Sequence, residues 1–136
     1  MPNYSRNLAD AAFSKSIALP AAAATAYTGS LNLGQPIDQS LEQLEFEISV
    51  PATPSLVDAK TITITVQDSA DGTTFAAIDP AISTVITGVA TSQGGPAKAV
   101  RFRLPSQTRQ YVRLQIDVLT GGGSNIAVAA TFNAYF

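Results

Sequence analysis

From Leu44 to the end of the chain, apolar side chains recur at every second position, a period that suits a β-strand and no helix. Over residues 43–50, Leu44, Phe46, Ile48 and Val50 fall on one side while Glu45, Glu47 and Ser49 fall on the other. Residues 60–67 set Ile62, Ile64 and Val66 against Thr61, Thr63 and Thr65. Residues 98–104 set Val100, Phe102 and Leu104 against Ala99, Arg101 and Arg103. Residues 110–119 set Val112, Leu114, Ile116 and Val118 against Tyr111, Arg113, Gln115 and Asp117. A closing strand over 125–136 carries Ile126, Val128, Ala130, Phe132, Ala134 and Phe136 on one side. A slip of one residue would expose a whole apolar set, so register is firmly specified.

Turn signals separate these runs. Pro51 and Pro54 stop the first, and Asp68-Ser69-Ala70-Asp71-Gly72 reads as a tight turn whose Asp-Gly pair supplies a side-chain acceptor and a positive φ. A short strand anchored on Phe75 follows, then Asp79-Pro80, then a strand through Val85 with Ile86 beside it. Gly94-Gly95-Pro96 and residues 105–108 mark further turns, and Gly121-Gly122-Gly123 reads as a hairpin loop. Residues 24–33 hold one or two weaker strands, and 33–40 a loop. About eight strands at this spacing predict an all-β fold, an antiparallel β-sandwich or jelly roll, as a single domain over residues 26–136.

Residues 1–25 differ. They are rich in Ala and Ser, lack sustained alternation, and are expected to form an irregular N-terminal arm, either flexible or ordered against a neighbouring subunit. A helix over 7–15 capped by Asn7 is an alternative, although its apolar face is thin. Residues 16–26 imitate a short secretory signal, but Asp10, Pro20 and the Ala-rich core argue against one. The Asn3-Tyr4-Ser5 sequon carries meaning only in a secreted eukaryotic chain.

Composition narrows the chemistry. The 136 residues contain no Cys, no His and no Trp, which removes disulfide frameworks, Cys/His zinc sites and every His-dependent nucleophile or acid–base device. Charged residues make up 13%, about half the usual share, and the net charge of −2 argues against nucleic-acid binding. No apolar run reaches the length of a membrane helix. Two carboxylates around Gly72 fall short of a calcium site, and Glu45 with Glu47 on an open strand face read as solvated surface. The chain is therefore expected to be no enzyme and to need no cofactor.

The outward residues are what remain for function. If residues 98–104 and 110–119 form a hairpin with Phe102 opposite Val112, Arg101 faces Arg113 and Arg103 faces Tyr111. Like charges across a ladder repel, so carboxylates must approach, either Glu45 and Glu47 or an acidic partner. Thr61, Thr63, Thr65 and Gln67 give a flat hydroxyl-rich face. Arg101, Arg103, Arg113, Tyr111, Glu45, Glu47, Thr61, Thr63 and Thr65 are the candidate interface residues, with Tyr4, Tyr27 and Tyr135 the remaining tyrosines open to exposure.

Two blocks, LVDAKTITITVQDSADGTTF and RLPSQTRQYVRLQI, with the glycine loop and the Phe-terminated last strand, carry a resemblance to a known family. They resemble the small jelly-roll capsid cement (decoration) proteins of short-tailed bacteriophages related to Bordetella phage, over about two thirds of the chain. That resemblance implies a structural virion protein without an active site, made in the host cytoplasm and placed on the outer capsid surface. There it would bridge neighbouring major capsid protein subunits as a dimer or trimer. The competing expectation is a carbohydrate- or receptor-binding β-sandwich module, for which exposed tyrosines would be the platforms.

Overall fold

The computed structural model describes residues 9–34, 44–91 and 93–135, with side chains from Phe13 onward in the first segment. Their regular elements are all strands: β1 (Ala9–Ala18), β2 (Thr25–Tyr27), β3 (Leu31–Asn32), β4 (Glu45–Val50), β5 (Thr61–Ser69), β6 (Ala76–Ala77), β7 (Ser83–Thr87), β8 (Lys98–Arg103), β9 (Tyr111–Val118) and β10 (Ala129–Tyr135). All pairings between them are antiparallel. The smaller sheet runs β1-β10-β4-β8. The larger runs β2-β9-β5-β6, with β3 also on β9 and β7 also on β5. Among the described residues, β2 and β3 share one lane and β6 and β7 another, so the ten strands fill eight positions, four per sheet. The chain changes sheet at every step between positions except from β5 to β6. This is an antiparallel sandwich wound as a jelly roll.

Alternation explains the core. Phe46, Ile48 and Val50 from β4, Ile62, Ile64 and Val66 from β5, and Val112, Leu114, Ile116 and Val118 from β9 are all buried between the sheets. Each such side chain contributes roughly 1.5–3 kcal/mol, an upper figure because unfolded chains already bury some apolar surface. Under the small sheet, Phe46 lies 5.4 Å from Phe132 and 6.2 Å from Phe102, ring centre to ring centre. A half-buried ion pair ties the end of β5 to the loop before β9. Asp68, 4% exposed, accepts the Arg109 backbone N–H at 2.8 Å and its Nη2 at 2.6 Å. The tight turn forms as its residues require. Gly72 takes φ +76°, and Asp71 Oδ1 accepts the N–H groups of Thr73 and Thr74, both at 2.9 Å.

Several expectations change. Residues 9–18 are neither arm nor helix but strand, paired with β10 from Ala9↔Tyr135 to Ala18↔Ala129 with one irregularity. The edge of β10 supplies hydrogen-bond partners, and Phe13 and Ile17 pack against the core, which outweighs a weak local preference. The expected hairpin of 98–104 with 110–119 does not exist. β8 pairs with β4, and β9 lies in the other sheet beside β5, β2 and β3. For the same reason Gly121-Gly122-Gly123 crosses between sheets and closes no hairpin. In β7 it is Thr84 and Ile86 that turn inward, while Val85 is exposed, and Ile126 sits exposed in a turn before β10. Asn7, the sequon, most of the 33–40 loop, Tyr4 and Phe136 lie outside the described residues.

Candidate interaction surface

The two outer faces divide the candidate residues. On the small sheet, register sets Glu45 opposite Arg103 and Glu47 opposite Arg101. Arg101 Nε donates to Glu47 Oε2 at 3.0 Å, with Glu45 at 3.8 Å, and Arg103 reaches Glu45 at 3.9 Å. Tyr135 donates its hydroxyl to Glu47 Oε1 at 3.2 Å, and its ring lies 4.2 Å beneath the Arg101 guanidinium. The hydrogen bond it donates to Glu47 raises the Arg101 pKa above its already high ordinary value. The carboxylates that the arginine stripe required are thus in the same chain, each directly across the ladder. Exposed pairs of this kind are typically worth about 1 kcal/mol or less, so the cluster reads as compensated surface.

Arg113 and Tyr111 are elsewhere, on β9 in the large sheet, together with Thr61, Thr63 and Thr65 on β5. Register places Thr63 beside Asp117, Thr65 beside Gln115 and Gln67 beside Arg113, and on the other flank Thr25 beside Asp117 and Tyr27 beside Gln115. A chain of hydrogen bonds crosses this face. Arg113 Nε donates to Gln67 Oε1 at 2.9 Å, Gln67 Nε2 donates to Gln115 Oε1, Gln115 Nε2 donates to Asp117 Oδ2 at 2.7 Å, and the Thr25 hydroxyl donates to Asp117 Oδ1. The guanidinium of Arg113 is sandwiched, 4.0 Å from the ring centres of both Tyr27 and Phe75. Tyr111 packs its ring over the turn at Gly72. Next to Asp117, a shallow open depression of about 280 Å³ is lined by Thr25, Thr61, Thr63 and Leu119 among others.

Sequence alternation therefore found the Thr row and placed Arg113 outward, but it joined Arg113 to the wrong stripe. Phe75, Gln115 and Asp117 were not singled out as members of a site. Tyr27 stood out only as an unburied tyrosine, and it is 45% exposed. These residues come from separate segments, and only the sheet order brings them together.

No protein-family model matches this chain, and no curated protein does. Solved structures are similar to it at low identity, among them the following two. Dimeric latent PorU from Porphyromonas gingivalis matches with 14% identity and a TM-score of 0.42, over 99% of this chain and 14% of that one. A family 16 carbohydrate-binding module matches with 12% identity and a TM-score of 0.31, over 84% of this chain and 68% of that one.

Proposed function

We propose that this protein is a capsid cement protein, a structural virion component that binds the outer surface of a phage head and joins neighbouring major capsid protein subunits. One observation carries the reading. The two sequence blocks that resemble the cement family supply β5 and most of β9, which pair continuously from Ile62↔Val118 to Ser69↔Tyr111 and form the centre of the large sheet. Their outer side is the flat, charge-poor face with the Thr row and Arg113. Resemblance and candidate surface coincide. A rigid sandwich with such a face works by adhesion. Contacts of modest area become strong attachment when one copy touches two capsid subunits, or when copies associate as dimers or trimers on the lattice.

The test is cosedimentation of the purified protein with heads assembled from the major capsid protein of the same genome. Saturable binding at a fixed ratio to capsid subunits, with a raised melting temperature of the heads, is the expected result. Absence of binding would overturn the reading.

A second reading, a carbohydrate- or receptor-binding module, is favoured by the exposed Tyr27 ring beside the Gln115–Asp117 hydrogen-bond row and the hydroxyl-lined depression. Hits on a glycan array without head binding would select it.

A further inference from the structure

Among the described residues there are arginines at 101, 103, 109 and 113, and all but one have a carboxylate of their own. Arg101 has Glu47, Arg103 has Glu45, and Arg109 has Asp68. Arg113 is the exception. Among the described residues its only hydrogen-bond partner is the neutral amide of Gln67. The carboxylate that shares its strand face, Asp117, stands roughly 13 Å further along by strand rise and is engaged by Thr25 and Gln115.

The side chain is nevertheless held in place. Tyr27 and Phe75 clamp the guanidinium from both sides at 4.0 Å, and the Nε bond to Gln67 fixes its rotation. The terminal nitrogens then present a planar fork of donors whose ordering is already complete before any partner arrives. A fixed, uncompensated cation among hydroxyls and amides is complementary to a single carboxylate. Arg and Tyr are also the residue types that anchor protein interfaces.

Building on the capsid reading, we infer that Arg113 is the anchor of the capsid contact. It takes, as a bidentate pair, an Asp or Glu side chain on the surface of the major capsid protein, with the Thr65–Thr63–Thr61 row extending the contact away from that pair along β5.

The experiment compares the full-length protein with Arg113→Lys, which keeps the charge and loses the fork, and Arg113→Gln, in cosedimentation with heads. Lys15→Gln on the other sheet serves as a charge control. Both Arg113 variants should weaken head binding by about tenfold or more while melting as cooperatively as the parent, and Lys15→Gln should bind as the parent does. Equal binding by Arg113→Lys and the parent would overturn the anchor. If the parent itself fails to bind heads, the capsid reading falls, and the clamp is tested alone by ¹⁵N side-chain NMR with acetate. A shift confined to the Arg113 Nε–H signal supports the clamp. A signal that does not move, or that moves no more than those of Arg101, Arg103 and Arg109, overturns it.

Discussion

Asp71 is exposed, yet three donors hold its carboxylate in place. The N–H groups of Thr74 and Thr73 and the hydroxyl of Ser69 all donate to it and hold it ionised well below the usual carboxylate range. A carboxyl whose folded pKa is depressed contributes stability above its unfolded value, about 4, and loses it as pH falls through the folded value. Asp71→Asn should therefore unfold at a lower urea concentration than the parent at pH 7, and the gap should narrow steadily below about pH 4. Denaturation midpoints across that range check it, and a gap independent of pH would contradict it. This residue was legible in advance, because Asp-Gly after a strand states its own turn chemistry. Arg113 was legible only as outward. Its clamp depends on Tyr27 and Phe75, which are distant in sequence and meet it only across the sheet.

At the scale of elements, β4, β9 and β5 as far as Val66 could be read with their inward sets because apolar and polar residues alternate there without a break. Parity states which way a side chain points but not which strand lies beside it. That is why a hairpin of β8 with β9, neighbours in sequence, satisfies parity although the two strands belong to opposite sheets. The arginine stripe built on that pairing dissolved with it, while the pairing of Arg101 and Arg103 with Glu45 and Glu47 survived because it rested on charge. β1 escaped notice for a different reason. Its Ala- and Ser-rich sequence has little strand preference, and the edge of β10 imposes the conformation. Removal of residues 1–18 should then strip β10 of its neighbour and uncover core packed by Phe13 and Ile17, lowering stability by at least about 3 kcal/mol. A truncated chain that melts at the parent's temperature would show that β1 contributes nothing to the sheet.

As a whole, the molecule is a two-layer body in which three of the four described arginines are paired within the chain. Arg101, Arg103 and Arg109 are spent on in-chain carboxylates, and the large sheet's outer face is left nearly neutral around one clamped cation. At one end, loops cross-linked by backbone bonds such as Val57 N–H to Gly122 O expose Val57, Val89, Leu119 and Ile126. These are surfaces suited to being covered, and the jelly roll holds them rigidly in one frame. Under the proposed capsid role the β5–β9 face meets the major capsid protein, so the most direct measurement is a cryo-EM reconstruction of heads decorated with this protein. It should show the sandwich on the outer shell with the β5–β9 face seated on major capsid protein and Arg113 beside an acidic side chain. Heads without added density, or a bound sandwich whose β5–β9 face looks out to solvent, would contradict it.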